Sequence, residues 1–134
     1  MGIAIKWQDF GQKTIELLDD GGLRWVLKSS DISESCCLKF INPYGRTYFN
    51  YLQLPVLLKE VCEIRDKLTE QDLNKALLSS IDKYRDRDHL IREGAEGMAA
   101  TITFSGVQAY LQHLIDLIAK AQGHVGTLLL FIGD

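Results

Sequence analysis

The stretch INPYGRTYFNYLQLP, residues 41–55, decides how the two halves of this chain join. It contains both prolines and three of the five tyrosines of the chain. Residues 42–45 have turn chemistry throughout, because proline presets φ at about −65° and Gly45 accepts the left-handed region. Residues 46–50 then have strand propensity. The stretch predicts a turn, a return strand and, from Pro55, the first turn of a helix.

Eight residues of this stretch are expected to build a structural corner. We interpret Arg46 as a residue that bonds nearby carbonyls, with tyrosine rings as packing. The alternative is an anion- or base-binding role for Arg46 between Tyr44 and Tyr48. Asn50 and Gln53 are expected to satisfy backbone groups where the strand meets the helix. The corner residues are Pro43, Tyr44, Gly45, Arg46, Phe49, Asn50, Gln53 and Pro55.

The size of the chain indicates one globular domain, residues 1–134. Its charge indicates that the protein does not bind nucleic acid directly. With 134 residues, 46% of them hydrophobic, it can bury one substantial core. Its formal net charge is −3, whereas proteins that hold phosphate backbones need a clustered basic face. A basic protein partner stays compatible with this balance.

The cysteines predict a reducing compartment. Cys36, Cys37 and Cys62 are odd in number and lack Cys-x-x-Cys spacing, so we expect reduced, mostly buried thiols and no zinc site. No apolar run reaches the length of a signal peptide or a membrane span. We therefore expect a soluble, cytoplasmic protein without membrane contact.

The first 41 residues favour β-structure. Alternating or continuous apolar runs predict strands at residues 3–7, 13–18, 23–28 and 36–41. The cluster Asp19-Asp20-Gly21-Gly22 predicts a hairpin between the second and third of these strands. A short helix over residues 8–18 is the alternative to the second strand.

The second half favours helices. One apolar stripe is formed by Leu57, Leu58, Val61, Ile64 and Leu68. Thr69 and Asp72 predict a capping box for the next helix, whose stripe runs from residue 73 to 84. Residues 82–92 alternate acids and bases, which indicates a solvated helix face or loop.

The last forty residues predict one more helix and an interior strand. Gly94 and Gly97 interrupt the pattern, and residues 98–104 fit a short strand or a buried helix end. Ser105 is the expected cap of a helix that stops at Gly123. Residues 127–132 are continuously apolar, which is typical of a strand inside a sheet and covered on both faces.

No set of residues predicts catalysis, and no cofactor is expected. The sequence lacks a phosphate-binding glycine loop, a nucleophile elbow and a His-Glu-x-x-His motif. His113 is expected on a helix face and His124 at the negative end of a helix. His89 with Asp86 and Asp88 does not have spacing that converges on a metal.

Together these patterns predict an α+β fold. We expect a mixed or largely antiparallel sheet of about five or six strands, with two or three helices mainly on one face.

The corner stretch also resembles a family of small bacterial proteins. The similar pattern is Pro-Tyr-Gly-Asp-Thr-x-Phe-Asn-x-x-Gln, matched here by residues 43–53, together with Phe-Ile-Gly-Asp at residues 131–134. Arg46 stands where that pattern has an acidic residue. The resemblance implies an immunity protein of contact-dependent growth-inhibition type, which binds and neutralises a cognate toxin domain by covering its active site.

Acidic loops are the expected contacts of such an inhibitor. Toxin domains that cut nucleic acid are basic, so an acidic surface would be attracted to them. We predict the contacts to be Asp19, Asp20, Asp31 and Glu34. The alternatives are a generic protein-binding or oligomerising module, or a small enzyme that uses Arg46 and a histidine.

Overall fold

The computed structural model describes residues 3–8, 14–18, 22–83, 86, 88–124 and 126–133. The strands are β1 (Ile3–Gln8), β2 (Thr14–Leu18), β3 (Arg46–Asn50) and β4 (Leu128–Gly133). The helices are α1 (Gly22–Ser29), α2 (Leu54–Lys67), α3 (Glu70–Asp82), α4 (His89–Ala100) and α5 (Phe104–Gln122), with a short 3-10 helix at Leu38–Phe40. The α+β class is confirmed.

The described strands form one antiparallel sheet in the order β2-β1-β4-β3. β4 lies between β1 and β3, so the predicted interior strand is confirmed. Ile5 pairs with Phe131 and Phe49 pairs with Leu129, and all four side chains are buried on one face. This face joins the helices in a single core. The sheet has four strands within the described residues, so the predicted five or six are not confirmed.

The opposite face of the sheet is less covered than the apolar run in β4 predicts. Tyr48 and Leu128 are 50% and 39% exposed, whereas Leu130 is buried between its cross-strand neighbours Lys6 and Tyr48. Within the described residues, the helices therefore cover one face of β4 only.

The core is organised around α5. This helix packs against α1, α2 and β4 and buries seven of its side chains. Thr103, rather than the predicted Ser105, caps it by accepting a hydrogen bond from the Gly106 N–H. Gly123 ends it as predicted. The capping box of α3 is also confirmed, because Thr69 and Asp72 exchange both hydrogen bonds.

Two predicted strands are helical. Residues 23–28 lie in α1, where Leu23, Trp25 and Val26 are buried against the core. A run this short fits both periods, and packing on α3 and α5 selects the helix. Residues 38–40 form the 3-10 helix because a carboxylate from α2 binds the backbone before it.

Three smaller predictions need correction or completion. Gly94 and Gly97 lie inside α4 and do not interrupt it. Residues 98–100 end α4 and residue 104 begins α5, so this segment contains no strand. Gly45 does not adopt the left-handed region, which among the described glycines is occupied by Gly126.

The corner is held by side-chain amides. Asn50 Oδ1 accepts hydrogen bonds from the N–H groups of Leu52 and Gln53 at 3.0 and 3.1 Å. Gln53 Oε1 in turn accepts from the Asn50 N–H at 2.9 Å. Asn42 Oδ1 accepts from the Tyr44 N–H, which fixes the turn. The predicted roles of Asn50 and Gln53 are confirmed, and Pro55 lies in the first turn of α2.

Arg46 and the tyrosines differ from their predicted role in the corner. Tyr44 is 73% exposed and Arg46 is exposed as well. No described residue accepts a hydrogen bond from the Arg46 guanidinium. Both side chains are mostly exposed to solvent rather than buried in the corner.

The corner instead packs against the end of β4. The Gly133 N–H donates to the Gly45 carbonyl at 2.7 Å, and the rings of Phe49 and Phe131 meet edge to face at 5.5 Å. A Cβ on Gly133 would overlap the backbone carbonyl of Pro43. Residues 43–53 and residues 131–133 are thus one structural unit.

We expect Gly133→Ala to lower the free energy of unfolding by about 1–3 kcal/mol, because the new methyl group must displace the Pro43 backbone. Gly94→Ala is the matched control: its Cβ would meet nothing within 4 Å, and alanine favours the helix by up to about 1 kcal/mol. Urea unfolding of both variants checks this. Equal stability of the two would contradict the close approach.

Candidate functional site

An acidic groove lies between the loop after α1, the second half of α2 and the start of α3. It has a volume of about 520 Å³. The charged residues that line it are Asp31, Glu34, Glu60, Glu63, Lys67 and Asp72. Five carboxylates and one lysine give this surface a strongly negative character, which the net charge of the whole chain does not reveal.

The loop that forms one wall is folded by its own serines. The Asp31 carboxylate accepts hydrogen bonds from the Ser33 hydroxyl at 2.7 Å and the Ser33 N–H at 3.1 Å. These two bonds hold the pKa of the Asp31 carboxyl below its ordinary value. The Ser35 hydroxyl donates to the Ile32 carbonyl and accepts from the Lys39 N–H. The Asp31 charge is therefore held in a defined position on an exposed loop.

Glu60 fastens this loop to α2. Its carboxylate accepts hydrogen bonds from the N–H groups of Cys36, Cys37 and Leu38 at 2.6, 2.9 and 3.1 Å. Such multiple backbone bonds to a carboxylate are strong, because the acceptor is charged. Burial raises the pKa of the Cys37 thiol, and the Glu60 charge raises it further. Cys37 is thus a packed thiol, whereas Cys36 is exposed.

The remaining carboxylates differ in how free they are. Asp72 also serves the capping box, where it accepts from the Thr69 N–H. Glu34 and Glu63 are exposed and bind no described residue. The carboxylates of Glu34 and Glu63, together with the exposed carboxylate of Asp31, are therefore the groups most able to bind a cationic partner.

Two of the four predicted contact residues meet here. Asp31 and Glu34 line the groove, whereas Asp19 and Asp20 lie outside the described residues. Glu63 and Asp72 were not predicted as contacts. Glu60 and Glu63 share one helix face at a spacing of three, but the loop that faces them lies more than twenty residues away in sequence.

The chemistry of the groove suits cation binding by charge rather than metal coordination. In the part of the chain that the structure describes, no three His, Cys, Asp or Glu side chains group as metal ligands. His89 pairs with Glu93 of its own helix at 2.8 Å, and His124 Nδ1 lies 3.1 Å from the Lys120 carbonyl at the end of α5. The predicted placement of His124 at a helix end is confirmed.

Comparison of the chain with protein-family models, with curated proteins and with solved structures gives no match. The resemblance to immunity proteins therefore stays a prediction. Among the described helices, none has the length and apolar character needed to span a membrane.

We expect Glu60→Ala to destabilise the protein by about 1–3 kcal/mol, because it leaves three N–H groups without their acceptor, two of them part-buried. Glu63→Ala, one turn along α2, removes an exposed carboxylate and should change stability by less than about 0.5 kcal/mol. Thermal and urea unfolding measure both. A Glu60 variant as stable as the Glu63 variant would show that the hydrogen bonds between Glu60 and the backbone of residues 36–38 do not hold the loop.

Proposed function

We propose that this protein is a non-catalytic inhibitor of immunity type, which binds a basic toxin domain through the acidic groove and covers the toxin's active site. The observation that supports this is the convergence of five carboxylates from three separate segments on one groove. A single acidic stretch in sequence is commonly a solvated face, whereas convergence of distant carboxylates is a property of the fold.

The character of the groove favours a macromolecular partner. Pockets for small molecules are lined mainly by apolar and aromatic side chains, with a few polar groups. Here the charged groups Glu34 and Glu63 are exposed at the groove and open to lysine or arginine side chains of another protein. Rim charges of this kind speed association and select partners of opposite charge.

A toxin that cuts nucleic acid fits this surface best. Such a domain must hold phosphates, so its active site is surrounded by lysine and arginine. An acidic inhibitor is steered towards that region and competes there with the phosphate backbone. The resemblance of residues 43–53 and 131–134 to immunity proteins supports the same partner. Occlusion requires a rigid surface, and the Glu60 bridge and the Ser33 contacts supply one.

The second candidate is a protein-binding or oligomerising module without a toxin partner. The exposed face of the sheet around Tyr48 and Leu128 favours it. The two candidates differ in the surface that each uses, so variants of the groove and of the sheet separate them.

The test is co-expression with the C-terminal domain of the protein that the adjacent gene encodes, which we expect to be the toxin, followed by co-purification and binding kinetics. We expect the unaltered chain to rescue cells that make the toxin. The double variant Glu34→Lys, Glu63→Lys should weaken binding at least about tenfold, mainly through a slower association rate that depends less on salt. These side chains are exposed, so its stability should stay near that of the original chain.

The matched control is Glu93→Lys with Glu96→Lys on α4, which makes the same change in net charge at exposed positions outside the groove. We expect its affinity to change less than about twofold. Equal effects of the two double variants would contradict a role for the groove. Absence of any complex with the toxin domain would contradict the immunity function itself.

A further inference from the structure

β3 is an edge strand with backbone groups that face outward. It pairs with β4 on one side, and no described strand lies on its other side. The bond from the Gly133 N–H to the Gly45 carbonyl sets the alternation, so Thr47 and Phe49 direct their backbone groups towards β4. Arg46 and Tyr48 then direct theirs away from the sheet. No hydrogen bond within the described residues uses these outward groups.

The free edge of β3, defined as the backbone N–H and C=O groups of Arg46 and Tyr48, is closed at both ends. Beyond it, the Asn50 N–H donates to Gln53 Oε1 and the Asn50 carbonyl accepts from the Gln53 N–H. Before it, the Gly45 N–H donates to the Asn42 carbonyl. The edge thus offers two donors and two acceptors, spaced as in a strand.

We propose that the free edge of β3 pairs antiparallel with the free edge of β3 in a second copy of this chain, about a two-fold axis at Thr47. Arg46 of each copy then lies opposite Tyr48 of the other. The pairing forms four hydrogen bonds and satisfies every outward group of both copies. A two-fold contact requires such a self-complementary surface, and it closes as a dimer because each β3 has only one free side.

Side chains favour the same register. Arg46, Tyr48 and Asn50 share the exposed face of the sheet. The proposed register places each guanidinium directly opposite a tyrosine ring, a cation–π contact, and leaves the two Arg46 side chains at the longer diagonal separation rather than directly opposite each other. A register centred on Tyr48 would instead place Arg46 opposite Asn50, whose backbone groups Gln53 already occupies. That register forms only two of the four hydrogen bonds.

The proposal also accounts for an otherwise unexplained surface. Tyr48 and Leu128 leave an apolar area exposed on the sheet beside the edge. Pairing of the edges would continue this face across both copies. The groove lies on other elements, so the dimer would present two grooves, and the inference stands independently of the proposed function.

Sedimentation velocity of the full chain from about 1 to 500 µM tests the pairing. The fraction of dimer, and with it the average sedimentation coefficient, should rise with concentration. The variant Tyr48→Pro removes the outward donor. Proline is tolerated on an edge strand where the N–H faces solvent. We expect Tyr48→Pro to raise the dimer dissociation constant at least about tenfold, because it removes two of four hydrogen bonds. Tyr48→Ala keeps the backbone N–H and should raise the dissociation constant less. Leu90→Ala changes an exposed side chain on α4 and should leave the dissociation constant unchanged.

A chain that stays monomeric over the whole range overturns the proposal. So does a folded Tyr48→Pro variant that dimerises as the original chain does, or a Tyr48→Ala variant that loses as much affinity as Tyr48→Pro. If Tyr48→Pro fails to fold, amide exchange of the original chain decides. The amides of Arg46 and Tyr48 should become protected at high concentration, while those of Thr47 and Phe49, already bonded to β4, should not change. Unchanged exchange at Arg46 and Tyr48 would refute the pairing.

Discussion

The bridge between Glu60 and the backbone of residues 36–38 is the constraint on which the candidate site depends. Without it, nothing described in the structure ties the polar loop after α1 to the side of α2 through hydrogen bonds of comparable strength. The bridge ends on the first residue of the short helix at residues 38–40, and Asp31 and Glu34 line the same groove as Glu63. The Glu60 carboxylate thus bonds the backbone, and the loop that it holds carries the carboxylates of Asp31 and Glu34. Because Glu60 bonds the backbone while Glu34 and Glu63 stay exposed, the acidic surface can be both rigid and open to a partner.

The corner of residues 42–53 has a different role. Its amides bond to the backbone, and its turn packs against the last residue of β4. Phe49 and Gly133 serve close packing within this unit, because the Phe49 ring meets Phe131 and Gly133 lies against the Pro43 backbone. Arg46 differs from them, because it lies exposed on the edge strand of the sheet.

Much of the fold follows from local patterns in the sequence. The stripes of α2, α3 and α5, the capping box at Thr69 and the interior strand at the end of the chain depend on periodicity over long segments. The errors lie in short runs. Residues 23–28 satisfy both an alternating and a helical pattern, and only packing against α3 and α5 decides between them. Residues 36–41 have strand propensity but are bent by Glu60, twenty or more residues away. The sequence predicts Asp31 and Glu34 as acidic residues of a loop. Only the tertiary structure shows that they line one groove with Glu63 and Asp72.

We propose that the protein acts by pressing the groove against a basic macromolecule, a contact in which the corner of residues 42–53 takes no part. Hydrogen–deuterium exchange of the chain, free and saturated with the toxin domain, tests this most directly. We expect slower exchange on binding to be concentrated in residues 30–38 and 60–72. Protection confined to residues 42–53, with the groove unchanged, would contradict it.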